Sequence, residues 1–320
     1  MLRPDDSNLT QQELQTVQKQ ADLLLLKAAA YGQFPTPIDD LMAAAKLVVV
    51  DDELLDEALL HRFLKKAKAT LATLKSALTK VLGLFEPGER LVVIDRDIPT
   101  PRVPFVKLHE AGHGCLPHQS GMYRLVHDCE KHLDPDTADL FEREANVFAA
   151  EALFQGESFA RDARDCDFSL KVPMQLADRY GASKYAAFRR YVTTNSRACC
   201  LVVLNSKSLE RSADGGFAIE VRRVIATKSF EVIFDSQKLF SAISDKHVLG
   251  SIVPIGRRMT YSREIRLVDR NDSLRSCRAE AFDTTHHVLI LICDQKPAST
   301  KILVAARPKV VGKRKWRSNL

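Results

Sequence analysis

The chain has 320 residues, of which 45% are apolar and 28% charged, and its formal net charge is +6. These values are ordinary for a globular protein, exclude a disordered or coiled-coil class, and allow two or three domains. No run of 18 apolar residues occurs and the first residues lack the pattern of an export signal, so we expect a cytoplasmic protein with no membrane span.

The excess positive charge lies at the C-terminus. Six Lys and Arg residues occur from position 307 onward with no acidic residue among them, so residues 1–306 sum to zero. We therefore expect a basic tail at 307–320 on a neutral body. The seven cysteines are scattered and form no C-x-x-C pair, which favours a reducing compartment and buried thiols over a disulfide framework.

The first 95 residues are predicted to alternate helix and strand. Residues 8–31 carry apolar side chains at helical spacing, with a Thr10/Glu13 capping box at their start. Further helices are expected at 38–46 and 52–82, with strands at 47–50 and 90–95. The second strand directly precedes the motif described next, and we expect it to form the edge on which an extended peptide can lie.

Residues 107–113 contain the pattern His-Glu-x-x-His. On a helix, His109 and His113 lie one turn apart and can present two imidazole nitrogens to one zinc ion, with Glu110 beside them as a base. Pro104 fits the first turn of such a helix and Pro117 prevents its continuation. Gly112 weakens a helix by about 1 kcal/mol relative to Ala, so we expect another element to approach it closely.

A second helix is predicted from Asp134 to Gly156, with Asp134 as its N-cap. Zinc held by two histidines needs a third protein ligand, and Glu142 and Glu144 compete for that role. Small residues surround Glu142 on its helix face and allow close approach, whereas bulky residues flank Glu144. We therefore choose Glu142, with Asn146 one turn later as a supporting hydrogen-bonding group.

Together, Phe105 to His113 and Phe141 to Glu151 resemble the ImmA/IrrE-type metallopeptidases, in which H-E-x-G-H and E-x-x-A-N-x-F-A-A-E recur. The resemblance covers about residues 35–155 and departs from the family pattern after the second motif. It implies that His109, His113 and Glu142 are zinc ligands and that Glu110 is the catalytic base. It also implies a helix-turn-helix repressor as substrate, in a stress or mobile-element response.

Zinc hydrolysis of a peptide also calls for a donor that stabilises the developing oxyanion. The segment between the two motifs offers several polar side chains among which the sequence does not decide: His118, Tyr123, His127 and His132.

Residues 172–192 have the Ala-x-x-x-Gly-x-Ser spacing of a helix-turn-helix, with Arg189 and Arg190 available for phosphate. A weak nucleic-acid contact through 183–190 or the basic tail is one interpretation, and a plain helical extension is the other. The alternative function is a zinc-containing DNA-binding regulator without peptidase activity. Glu110 favours the peptidase over this alternative, since a purely structural zinc site needs no general base beside the metal.

Residues 198–306 are rich in strand-like runs, at 199–204, 217–226, 231–234, 248–255, 264–268 and 288–293. We expect an α+β protein. Residues 1–160 form a mostly helical, zincin-like metallopeptidase core with a short sheet, and residues 161–197 form a helical, helix-turn-helix-like segment. A mixed α/β sensor-like domain follows at 198–306, before the basic tail at 307–320. By analogy with the resembling family the sensor-like domain is GAF-like.

Overall fold

The structure, a computed structural model, describes residues 8–52, 83–86, 90–95, 97–122, 134–211 and 215–295. Within these ranges the protein is mixed α+β, with helices concentrated in the first two thirds and strands in the last third. The predicted helix at 52–82 and the basic tail lie outside the described residues. None of the described helices combines the length and apolar character that crossing a membrane requires.

The N-terminal part combines helices with a small sheet. Its elements are α1 (Gln11–Lys27), α2 (Ile38–Ala44), β1 (Val48–Asp52), β2 (Gly83–Glu86), β3 (Leu91–Asp95), α3 (Val103–Cys115) and α4 (Pro135–Leu153). The predicted capping box is present at the start of α1, where Thr10 and Glu13 exchange backbone-to-side-chain hydrogen bonds of 2.7 and 3.3 Å. The side chain of Asp134 likewise caps α4.

The described strands of the small sheet lie in the order β1-β3-β2, with β3 in the centre. It pairs parallel with β1 and antiparallel with β2, and Val92, Val93 and Ile94 are buried. The prediction that this strand forms an edge is therefore wrong. Strand order in a sheet depends on pairings between distant segments, and proximity to α3 along the chain does not set it. Among the described strands, β1 and β2 occupy the edges.

The C-terminal part begins with three helices and continues as antiparallel sheet. Its elements are α5 (Ser158–Arg164), α6 (Lys171–Tyr180), α7 (Lys184–Thr193), β4 (Cys199–Asn205), β5 (Glu210–Arg211), β6 (Phe217–Ile219), β7 (Val221–Ala226), α8 (Lys228–Ile233), α9 (Ser236–Leu239), β8 (Ile243–Ser244), β9 (Met259–Val268), β10 (Leu274–Asp283) and β11 (His287–Asp294). One described sheet has the order β7-β4-β11-β10-β9, and a smaller one has the order β5-β6-β8.

Two strands predicted in this region are not strands. Residues 231–234 fall at the end of α8, which forms because the Thr227 side chain caps it by accepting from the N–H of Phe230 at 3.2 Å. Residues 248–255 contain a short 3-10 turn at Gly250–Ile252 instead. Conversely, β10 was not predicted, because charged residues alternate in it with the small buried side chains Cys277, Ala279 and Ala281.

The five-stranded sheet has two buried faces. Cys199, Leu201 and Val203 of β4 pack in the same apolar core as helices α1 to α7, whereas Cys200 and Val202 face a second core formed with α8. The division predicted at residue 198 stays a prediction, but the core of the helical part continues across it. This continuity positions one sheet edge beside the helices that follow α4.

Helices α6 and α7 are joined by a short turn. Gly181 has a left-handed backbone with φ of 70°, and Ser183 caps α7 by accepting from the N–H of Ala186 at 3.2 Å. Arg190 points inward: its guanidinium binds both carboxylate oxygens of Glu151 at 2.8 and 2.9 Å, and only 10% of its side chain is exposed. Its guanidinium is therefore engaged inside the protein.

Candidate metal centre

Helix α3 carries both histidines of the His-Glu-x-x-His pattern. As predicted, Pro104 lies in its first turn, and the helix ends at Cys115, before Pro117. The rings of His109 and His113 lie 5.0 Å apart between centroids, at an interplanar angle of 86°. The four-residue spacing on one helix therefore places the two rings side by side, as the sequence predicted.

Glu142 of α4 faces both rings. Its carboxylate oxygens lie 3.2 Å from Nε2 of His109 and 3.6 Å from Nε2 of His113. Two ligand atoms that each lie about 2.1 Å from a tetrahedral zinc are separated by about 3.4 Å. The two observed distances bracket that value, and the three side chains form a group that could hold a metal ion. The donor set, two neutral imidazoles and one carboxylate, fits zinc.

Helices α3 and α4 approach each other closely at Gly112. A Cβ atom placed on this glycine would lie 3.1 Å from Cα of Ala145 and 3.3 Å from its Cβ. Both distances are shorter than the ordinary carbon–carbon contact of about 3.5–4.0 Å. The expected close neighbour of Gly112 is therefore α4, and this approach brings Glu142 within reach of the histidines.

A buried chain of hydrogen bonds supports His113. Its Nδ1 lies 2.8 Å from Oε1 of Gln119, whose Nε2 donates to Oε2 of Glu144 at 2.6 Å. The amide oxygen can only accept, so Nδ1 carries the proton and Nε2 keeps its lone pair toward Glu142. Gln119 was not predicted, because no periodic pattern marks a buried glutamine in the segment after α3.

Glu144, the rejected ligand candidate, has its own partners in this chain. Besides Gln119, it accepts a 2.6 Å hydrogen bond from Nε2 of His118. His118, one of the four oxyanion candidates, therefore bonds to the group that supports His113. The other three, Tyr123, His127 and His132, lie outside the described residues.

The second histidine is supported from α4. The side chain of Asn146 forms a hydrogen bond with His109 that raises the pKa of the imidazole, so Asn146 contributes its acceptor oxygen. Asn146 lies one turn beyond Glu142, as the sequence predicted. Each histidine of the cluster thus has a polar partner that orients its ring.

Glu110 lies next to the cluster and is buried. Burial raises the pKa of its carboxyl group to about 7, although the charge of His109 and a hydrogen bond from the backbone of Phe85 in β2 lower it. A carboxyl group with a pKa near the working pH can both take up and release a proton. The burial of Glu110 and this pKa are compatible with its expected role as a base.

Burial lowers the pKa of both histidines, but the net pKa shifts of the two are opposite. Burial lowers the pKa of His113 to about 4, with the nearby His109 adding to the effect. It also disfavours the charged form of His109, but the hydrogen bond to Glu142 and the charge of Glu110 outweigh it, so the pKa of His109 is raised. The pKa of Glu142 is lowered, because bonds to the histidines outweigh its burial. The neutral form of His113, which binds metal, is therefore the favoured one.

Residues 64–191 match the family model Peptidase_M78, described as the IrrE N-terminal-like domain. This part of the chain is an IrrE-type domain. The matched range includes Glu110 and all three cluster residues. It ends at residue 191, within α7, and so reaches further toward the C-terminus than the resemblance seen in the sequence.

Among solved structures, a Mycobacterium tuberculosis transcriptional regulator is similar in fold. The TM-score is 0.51 at 12% sequence identity, and the alignment covers 87% of this chain and 88% of that chain. At this identity the likeness concerns the fold alone. No match to a curated protein was found.

Proposed function

We propose that this chain is a zinc-dependent endopeptidase that cleaves a cytoplasmic regulator, a helix-turn-helix repressor, in a stress or mobile-element response. The observation that carries the proposal is the His109, His113 and Glu142 cluster with the buried Glu110 beside it, within a domain of a peptidase family. A purely structural zinc site has no use for an adjacent buried base. The choice of a repressor as substrate rests on the family resemblance.

Zinc bound by His109, His113 and Glu142 would supply a Lewis acid for the scissile carbonyl and acidify water. Glu110 then takes a proton from the attacking water while the water oxygen bonds to the carbonyl carbon. The same carboxyl group returns the proton to the amide nitrogen as the C–N bond breaks. A pKa of about 7 matches Glu110 to both proton transfers.

The extended substrate segment would lie along β2. This strand is an edge of the described sheet, and the backbone of Phe85 reaches Glu110. Free backbone groups at a sheet edge can pair with an incoming strand, which would place a peptide bond beside the base.

The test is co-expression with a helix-turn-helix regulator encoded next to this chain. We expect one specific cut by the wild type and none by Glu110→Gln, which should still bind one zinc. Glu142→Ala should lose the zinc, whereas Glu144→Ala should retain it with weaker affinity. Efficient cleavage of unrelated unfolded chains such as casein would contradict a dedicated regulator as substrate, and a zinc-loaded Glu142→Ala variant would contradict the ligand set.

A second candidate is a zinc-containing DNA-binding regulator without peptidase activity. Two observations favour it: the short turn between α6 and α7, and the fold similarity to a protein named as a transcriptional regulator. The two functions differ in what Glu110→Gln does. In a DNA-binding regulator the variant should behave as the wild type, whereas in a peptidase it should be inactive.

A further inference from the structure

A cavity of about 1010 Å³ lies between the helices after α4 and the five-stranded sheet. It is lined by residues of α3, α4, α5, α7 and β7, and none of the three cluster residues is among its described lining. The volume lies at the upper end of the range of about 300–1,000 Å³ that is typical of small-molecule sites. The cavity adjoins the metal centre, because Asn146, which bonds to His109, is in its described lining.

The described lining of this cavity is strongly basic. Arg102 contributes from the start of α3, and the other arginines come from the following helices and the sheet edge: Arg164, Arg189, Arg190, Arg197, Arg222 and Arg223. Only two carboxylates, Glu151 and Glu157, are in the described lining, and each already faces an arginine there. The described wall therefore carries an excess of five positive charges over negative ones.

One of these arginines retains an unused donor. The Nε atom of Arg190 is buried and has no hydrogen-bond partner among the described residues, although the terminal nitrogens bind Glu151 and the carbonyl of Gly156. A buried N–H left without an acceptor is unfavourable, and because this atom has less than 1 Å² of accessible surface, a ligand oxygen reaches it only if the neighbouring side chains shift. Phosphate oxygens satisfy arginine donors well, because the planar guanidinium matches their geometry.

Aromatic side chains form another part of the wall. Phe105, Phe168, Tyr185 and Tyr191 line the cavity, and the rings of Phe168 and Tyr191 lie 5.4 Å apart. The guanidinium of Arg197 lies 5.9 Å from the Phe168 ring centroid. Aromatic rings and arginine planes provide stacking surfaces for a flat heterocycle. The combination of such surfaces with many arginines suits a ligand that has both phosphates and a base.

We propose that this cavity binds a free nucleotide carrying two or more phosphate groups, held by the arginines of α7 and β7 and stacked on the aromatic wall. The proposal does not depend on peptidase activity, since none of the zinc ligands lines the cavity among the described residues.

The test is calorimetric titration of the full-length protein with ATP, ADP, adenosine and inorganic triphosphate. We expect ATP and ADP to bind at one site, more tightly than triphosphate and far more tightly than adenosine. A short single-stranded oligonucleotide serves as the alternative source of the same phosphate chemistry. Binding of the oligonucleotide without binding of ATP would overturn the proposal, as would equal affinity for triphosphate and ATP.

The matched variants change the two outer strands of one sheet. Arg222→Gln/Arg223→Gln removes two charges from β7, and Arg263→Gln/Arg266→Gln removes two exposed charges from β9, the strand at the opposite edge. We expect the β7 variant to lose at least tenfold in ATP affinity and the β9 variant to match the wild type, with both folded by circular dichroism. Equal losses in the two variants would show a diffuse charge effect and would refute a built site. Zinc content, measured in parallel, should be unchanged in both.

Discussion

Gln119→Leu tests whether the support behind His113 sets the affinity of the metal centre. Gln119 is fully buried and bonds to Nδ1 of His113 at 2.8 Å, to Glu144 at 2.6 Å and to the carbonyl of Phe141 at 3.2 Å. Leucine has a similar size but none of these bonds. His113 then loses the acceptor that holds its proton on Nδ1 and keeps Nε2 free for metal.

Removing such a supporting partner typically weakens metal binding ten- to a hundredfold, or about 1.4–2.7 kcal/mol. Loss of the buried hydrogen bonds should lower the free energy of unfolding of the metal-free protein by about 1–3 kcal/mol. Zinc affinity is measured by competition with a chromogenic chelator, and stability by urea denaturation without metal.

Gln155→Leu is the matched control. Gln155 is also fully buried and also makes three hydrogen bonds, to the N–H of Gly32, the carbonyl of Gln33 and the hydroxyl of Thr36. It should lose stability by a similar amount and keep the wild-type zinc affinity. A folded Gln119→Leu variant with wild-type zinc affinity, or a Gln155→Leu variant with an equal loss of affinity, would refute the reasoning.

Three further predictions concern packing, a buried ion pair and pH. Gly112→Ala should be less stable than Gly121→Ala by about 1–3 kcal/mol in urea denaturation, because a Cβ at 112 presses on α4 while one at 121 meets no atom of the described residues within 4 Å. Equal stabilities would show that α4 shifts to accommodate the added methyl group without cost. Arg190→Met should lower the free energy of unfolding by about 3–5 kcal/mol, because it leaves the charge of Glu151, a side chain only 7% exposed, buried without its partner. The double variant Arg190→Met/Glu151→Leu should recover most of this loss. A double variant as unstable as the single one would contradict the account. Zinc affinity should fall as pH is lowered through the raised pKa of His109, starting above 6.5, because protons compete for its imidazole. Zinc affinity is titrated from pH 8 to 5, and an affinity that stays constant over this range would contradict the account.

Features that depend on neighbouring residues could be predicted from the sequence. The pairing of His109 with His113 follows from the helical repeat, and the Thr10 and Asp134 caps follow from side chains that reach backbone groups two or three residues away. The close neighbour of Gly112 was also predictable, since a glycine in a helix suggests crowding. The histidine pair and the two caps lie within one or two helical turns, where the sequence specifies the geometry. For Gly112 the sequence indicated a close neighbour, and the tertiary structure decided that this neighbour is α4.

The interactions that only the tertiary structure decided join segments distant along the chain. The central place of β3 depends on two strands from different parts of the chain, and the contact of Gln119 with Glu144 spans 25 residues. The inward position of Arg190 depends on Glu151, 39 residues earlier, and the basic cavity gathers arginines from helices and a sheet edge. The sequence by itself therefore determined the histidine pair and the position of Glu110 beside it. The hydrogen bonds that support these residues, and the wall of the cavity, exist only because folding brings polar groups of separate elements within hydrogen-bonding distance. A buried polar group needs such a hydrogen-bond partner, because water does not reach it.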